Sequence, residues 1–195
     1  MLHDDTARNR RIGIALVCLT TFLFATLDAF AKHLVKELPV FQVVWLRFVT
    51  HVIITPALLM PVVGREIFRV RNWRLQALRA AMLGSMTGLN FWALQYLQLA
   101  ETSAIQFSVP LLIALMSAWW LGERLDAWRW IAIVCGLAGV LLVVRPWTGA
   151  FHPAMVLSLV NAVIYAAFNL LTRRMAATES AASMQWMSGL GAAVL

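Results

Sequence analysis

Residues 12–35 read IGIALVCLTTFLFATLDAFAKHLV. As a helix rising ~1.5 Å per residue, this almost wholly apolar stretch spans ~36 Å. A hydrocarbon core is ~30 Å thick, so the segment is long enough to cross it with some tilt. Inside it stand Asp28 and Lys32. Each ionised group costs about 2.5–3.5 kcal/mol at the centre of such a helix. The i, i+4 spacing puts both on one face, where they can partly neutralise each other. A membrane helix that keeps such a pair turns it toward a protein interior or a wet cavity. The expectation is a helix that borders a polar path through the membrane.

The whole sequence agrees with that setting. Of its 195 residues, 62% are hydrophobic and only 13% are charged. Mean hydropathy is +0.77. These values point to an all-α polytopic membrane protein and away from a soluble domain. The net charge of +7 would suggest nucleic acid in a soluble protein. Here the basic residues fall between apolar runs and set orientation instead, so no nucleic-acid partner is expected. Cys18 and Cys135 lie inside apolar runs and read as small buried hydrophobes. No His/Cys/Asp/Glu set has metal-ligand spacing, and no cofactor is expected.

Residues 1–11 form a short tail with Arg8, Arg10 and Arg11. The apolar run after it is too long for a signal-peptide core, so it is read as a retained helix. Helices are predicted over about 12–35, 40–62, 77–98, 103–121, 128–144 and 153–172, with a seventh from about 181. Lys36, Glu37 and Pro39 make the first turn, and a turn with Glu101 and Thr102 precedes the fourth helix. With a cytoplasmic N-terminus, 12 Lys and Arg fall on the inner side. They are Arg8, Arg10, Arg11, Arg65, Arg69, Arg71, Arg74, Arg79, Arg124, Arg129, Arg173 and Arg174. Three, Lys32, Lys36 and Arg145, fall outside, and Arg47 stays within the second helix. The bias sets the N-terminus in the cytoplasm.

The sequence also repeats itself at an offset of 141 residues. Leu16 meets Leu157, Phe24 meets Tyr165, Ala25 meets Ala166, Asp28 meets Asn169, Lys32 meets Arg173 and Trp45 meets Trp186. The copies are five helices apart, so Lys32 and Arg173 end their helices on opposite sides. That is the pattern of an inverted-topology repeat, which secondary transporters use for alternating access. Residues 12–146 would be the first repeat and 147–195 the start of the second. Two such units make about 280–290 residues and ten helices, of which about six and a half are present here. The chain is therefore expected to be a partial sequence.

Residues 101–146 read ETSAIQFSVPLLIALMSAWWLGERLDAWRWIAIVCGLAGVLLVVRP. With Pro110 inside a helix, Gly122-Glu123 at its end, Gly136-x-x-Gly139 in the next and Arg47 earlier, the chain resembles the EamA-like family of the drug/metabolite transporter superfamily. The resemblance implies a ten-helix inner-membrane carrier with a central cavity lined mainly by helices 1, 3 and 4 and their counterparts. It implies substrates among amino acids, nucleotide-like metabolites, vitamins and drugs. The stretches DAFAK (28–32) and VVWLRF (43–48) are most similar to metabolite or S-adenosylmethionine-type permeases.

The substrate-path candidates are Asp28, Lys32, Arg47, His51, Asn90, Trp92, Gln95, Gln106, Pro110, Tyr165 and Asn169. Asp28 and Arg47 lie ten and nine residues from a turn near Leu38, so they share a depth in an antiparallel hairpin. Three readings stay open: a fixed ion pair of Asp28 with Arg47 or Lys32, a substrate or proton site, and a Lys32 that reaches the outer surface. His51 could relay protons or simply be hydrogen-bonded. Asn90 and Trp92 suit a cavity for an amphipathic metabolite. The stripe Ala81, Gly84 (or Ser85) and Gly88 reads first as close helix packing. Gln106, Ser108 and Pro110 mark a helix with a freed carbonyl, for binding, for bending or as a passive kink. Asn161, Tyr165 and Asn169 would line the opposite wall. Trp119 and Trp120 read as interface anchors, and Glu123 as a turn cap.

The function that follows is secondary transport of a small polar or amphipathic metabolite, with the bilayer as the other partner. No Walker A loop is present, so the chain itself would not use ATP. A structural or assembly subunit is the alternative, and self-association as a homodimer is left open. A lipid-modifying enzyme would need a nucleophile with a base, or paired carboxylates, within reach. Asp28 is the only acid well inside an apolar run, so no catalytic residue is assigned.

Overall fold

The computed structural model describes residues 7–121, 126–145 and 152–194. Among them the regular elements are all helices. They are α1 (Ala7–Glu37), α2 (Val40–Val63), α3 (Trp73–Tyr96), α4 (Leu99–Gln106), α5 (Val109–Leu121), α6 (Ala127–Val144), α7 (Ala154–Met175) and α8 (Ala181–Val194). A 3-10 turn over Gly64–Phe68 joins α2 to α3. By length and composition, Asn9–Glu37, Val40–Phe68, Leu99–Trp120 and Ala154–Met175 can each cross a membrane.

From Ile12 to Leu27 α1 is apolar on every face apart from its threonines, and its side chains from Ile12 to Ala25 are all exposed. Such a helix suits lipid and not water. Its threonines carry no free donor into that setting: Thr20, Thr21 and Thr26 donate to the carbonyls of Leu16, Val17 and Phe22. Only the last third docks, where Ala31 and Val35 pack with Val43 of α2 and with Phe91 and Leu94 of α3. Cys18 and Cys135 are free and exposed. The expectation of buried thiols is corrected: the apolar runs that carry them are outer faces of the bundle.

α3 is the centre of the arrangement, in contact with α1, α2, α7 and α8. α7 lies between α3 and α5, and α8 closes on α2 and α3. A second core joins Ala93 and Leu97 to Ile105, Val109, Ala154, Met155, Ala162 and Ala166. Small residues along α7 let the neighbouring backbones come close.

Several helix bounds differ from the sequence-based ones. α1 starts five residues before Ile12 and takes in Lys36 and Glu37, because a helix can continue past the end of its apolar run wherever backbone bonds persist. α3 begins at Trp73 and ends at Tyr96, with Asn72 capping its first turn through Leu75 N–H at 3.3 Å. Residues 99–102, expected as a turn, form the start of α4. The carboxylate of Glu101 accepts from Gln98 N–H at 2.7 Å and so satisfies a donor at the helix start.

The expected fourth helix is two helices. Pro110 has no N–H to give to the carbonyl of Gln106, and its ring crowds that turn. α4 therefore stops at Gln106, and α5 restarts at Val109. Ser108 fills the break by donating its hydroxyl to Ile105 O at 2.6 Å. The expected cap at Glu123, with Gly122 and Arg124, lies outside the described residues. At the end of α2, Gly64 takes φ +67°, a conformation that suits a residue without Cβ.

Glu179 is buried and closes the start of α3, accepting from Arg71 N–H at 2.9 Å and Asn72 N–H at 2.8 Å. Glu179→Ala strands both donors. The expected loss is about 2–4 kcal/mol, read as a lower Tm of the purified protein in detergent.

Candidate substrate site

Asp28, Arg47, Thr87 and Asn90 meet where the last third of α1 docks against α2 and α3. Asn90 Nδ2 donates to Asp28 Oδ1 at 3.4 Å. Arg47 donates through Nη1 to Thr87 Oγ1 at 2.8 Å and lies 5.7 Å from the centre of the Phe91 ring. Arg47 also sits 5.3 Å from the Phe48 ring. Asp28 lies within electrostatic reach of Arg47, yet forms no salt bridge with Arg47 or with Lys32. Among the described residues the salt bridge found is His33–Glu37 at 3.8 Å, both exposed. The carboxylate thus keeps most of its acceptor capacity, and its cationic neighbour is held by a hydroxyl and two rings.

Lys32 has a different partner from either expected one. Its Nζ donates to Leu97 O at 2.8 Å. That carbonyl closes α3, so a cation there meets the negative end of the helix. Gln95 acts in the same way for α1, donating from Nε2 to Val35 O at 2.9 Å. The i, i+4 neutralisation of Asp28 by Lys32 is therefore replaced by long-range capping.

A cleft of about 620 Å³ lies between α2, α3 and α8, lined by neighbours of the cluster residues along α2 and α3 and not by the four themselves. Phe41, Trp45 and Trp92 give it aromatic walls, Gln95 and Ser85 give it polar atoms, and Ala81, Gly84 and Gly88 line it too. The small-residue stripe thus borders open space, except where Gly84 faces Ala192 of α8. Absent side chains there make room for a ligand as readily as for a helix. Trp92 and Gln95 line the cleft, while Asn90 turns to Asp28.

His51 packs against α8. Its Nε2 lies 3.2 Å from Gln185 O of α8, and its ring fills the place a Cβ on Gly189 would take. Nearby, Trp186 donates its indole N–H to Val52 O at 3.3 Å and meets Phe68 edge to face at 4.8 Å. These contacts fasten α2 to α8. Gly189→Ala is expected to lower stability by about 1–3 kcal/mol through overpacking. Adding His51→Ala should restore most of the lost Tm, which a non-specific defect in α8 would not allow.

The other candidates are placed as follows. Tyr165 is partly exposed, and Asn169 donates back to Tyr165 O at 2.8 Å within α7. Neither lines the cleft. Gln106 stands at the α4–α5 break with its side-chain oxygen buried and unpartnered, two residues before the Ser108–Val109 restart that Pro110 enforces. Among the described residues no group of three His, Cys, Asp or Glu could hold a metal.

Sequence reasoning missed Arg79, which it placed among the charges on the inner side. It is buried, with 5% of its surface exposed. Nε donates to Thr172 Oγ1 at 2.9 Å, and Nη1 donates to Met184 O at 2.6 Å and to Ser188 Oγ. The Phe168 ring centre is 4.5 Å from its guanidinium carbon. Arg79 thereby ties α3 to α7 and α8. A basic residue on a buried face next to small partners was the available signal, but the partners lie far along the chain.

The profile of the EamA-like transporter family matches residues 11–145. The chain is 24% identical to the S-adenosylmethionine uptake transporter of Rickettsia bellii (strain RML369-C), over 98% of this chain and 66% of that protein. It is 26% identical to the riboflavin transporter of Vibrio cholerae, over 87% of this chain and 58% of the relative. It is 28% identical to the pseudopaline exporter CntI of Pseudomonas aeruginosa, over 85% and 58%. The chain thus spans about 58–66% of the length of these relatives. All three are named as transporters or exporters, and none as an enzyme. No solved structure matches the chain significantly. With the family profile running from α1 to the end of α6, the chain belongs to the EamA-like transporter family and is an all-α polytopic membrane protein.

Proposed function

We propose that this chain forms the first repeat and the opening of the second in a secondary carrier of small polar or amphipathic metabolites. The single observation that carries the reading is the Asp28–Asn90 and Arg47–Thr87 cluster, set between apolar helices of which α2 and α3 also line the aromatic cleft. Ionisable groups at such a depth are costly unless they serve a path or a pair, and here the carboxylate has no salt bridge. The named relatives support the same reading: they are named for different small molecules, one for uptake and one for export. Substrate would enter the cleft between Trp45 and Trp92 and meet the polar cluster from there. Alternating access follows from two oppositely inserted repeats, with the N-terminus in the cytoplasm of a bacterial inner membrane. Asp28 and Asn169 are equivalent positions in those repeats. The coupling is set either by a proton on Asp28 or by exchange of substrates.

The test is flux by the full-length protein in proteoliposomes, screened across amino acids, nucleoside-like metabolites and vitamins. Saturable flux of at least one class that falls in Trp92→Ala supports the carrier. No flux of any class, with folded protein in the vesicles, favours the structural-subunit reading.

A further inference from the structure

Three buried side-chain oxygens, one at the end of α4 and two on α7, are used by neither the polar cluster nor the aromatic cleft. Ser158 is 1% exposed and Asn161 is 4% exposed. Ser158 Oγ, Asn161 Oδ1 and Gln106 Oε1 are buried, and none has a hydrogen-bond partner. Buried polar atoms are almost always paired, and each one left alone costs about 1–3 kcal/mol. Three such atoms from two packed elements call for an occupant.

Their placement says what kind. Ser158 and Asn161 are three residues apart, so they share a face of α7. Met155 and Ala162, which flank them on that face, pack in one core with Ile105 and Val109 on either side of the break. Gln106 is the last residue of α4. Its main-chain carbonyl faces Pro110 in sequence, which has no N–H to offer. The C-terminal end of α4 adds partial negative charge. All of these groups are oxygens, and all are neutral. Ca²⁺ and Mg²⁺ sites are built on carboxylates, so this set suits a single positive charge. Interrupted helices whose freed carbonyls hold a monovalent cation are a known construction in membrane carriers.

We infer that the α4–α5 break and the facing side of α7 form a binding site for a hard monovalent cation, Na⁺ or K⁺, through Gln106, Ser158 and Asn161. The site binds its ion whether or not flux is coupled to it. A coupling role rests on the carrier reading above. A cation here would fasten α7 to the break, so its arrival and departure would set the angle between α4 and α5.

The experiment is thermal unfolding of the full-length protein in detergent, titrated with NaCl or KCl against choline chloride at constant ionic strength. A saturable rise in Tm of a few degrees with Na⁺ or K⁺, but not with choline, is expected. Ser158→Ala with Asn161→Leu should abolish the rise. Gln106→Glu, which adds a charge to the set, should move its midpoint to lower salt by about tenfold. This second variant keeps the test open if the first fails to fold. Equal Tm in all three salts, or a rise unchanged in Gln106→Glu, overturns the site and leaves a buried water as the occupant. A cation-dependent Tm without flux of any metabolite would sink the carrier reading and leave the site standing. Flux with no cation-dependent Tm would do the reverse.

Discussion

Asp28→Asn should lower transport by more than about tenfold, equivalent to ~1.4 kcal/mol or more at the limiting step, while folded protein remains at wild-type levels. The carboxylate contributes little to the fold. Its hydrogen bond from Asn90 is long, at 3.4 Å, and it makes no salt bridge with Lys32 or Arg47. Asparagine is nearly isosteric and can still accept from Asn90, so packing between α1 and α3 persists. What disappears is the negative charge opposite Arg47, together with the capacity to carry a proton. If Asp28 were a structural counter-ion, its loss would leave Arg47 buried and unbalanced, at about 3–5 kcal/mol. The measurements that separate these readings are flux in proteoliposomes and Tm in detergent. Lost flux at unchanged Tm is the predicted pair of results. A fall in both would assign Asp28 to the fold.

Arg79→Ala should have the largest effect on stability of any single substitution in the described helices. The change removes three donated hydrogen bonds and takes the donor from half-buried Thr172 Oγ1, while Ser188 Oγ still donates to Met184 O at 2.8 Å. Bonds from a charged donor contribute about 1.5–3 kcal/mol each. Removing a buried charge returns part of that, since Arg79 has no salt-bridge partner among the described residues to balance it. The net loss expected is about 2–4 kcal/mol, with α7 and α8 loosened from α3. Arg79→Lys should recover little, because one ammonium cannot reproduce the planar fork that serves α7 and α8 together. Protease sensitivity of the link between α7 and α8 gives a second readout. An Arg79→Ala protein with unchanged Tm and unchanged cleavage would show that the contacts to Thr172 and Ser188 carry no weight.

These two residues show what a sequence reveals and what it withholds. The apolar spans were legible because membrane-crossing length is a one-dimensional property, written into residues 12–35, 40–62 and 153–172 without reference to neighbours. Asp28 stood out for the same reason: a carboxylate in an apolar run is costly wherever that run lies. Its partner was not legible, since Asn90 is 62 residues away. Arg79 was counted among the inner-side charges because it stands at the entry of the third helix, close to Arg74. Its burial depends on Thr172 and Ser188, which are 93 and 109 residues further on. Lys32 looked like a partner for Asp28 at helical spacing, but the end of α3 competes with a free carbonyl at Leu97. Local spacing could not weigh that acceptor. The break before Pro110 was half visible: proline announces a lost hydrogen bond, not whether a helix bends or stops. The short helix α4 went unseen, although Gln98 and Glu101 carry the spacing of a helix start.

The central claim is that two repeats lie in the membrane in opposite senses and share one path. Labelling from each side tests it. With Cys18 and Cys135 replaced by alanine, single cysteines would be placed at Lys36, at the end of α1, and at Ala176, just past α7. A membrane-impermeant maleimide is then applied to intact cells and to inverted vesicles. The account predicts that position 36 reacts only from the outside and position 176 only from the inside. Reaction of both positions from the same side would contradict it.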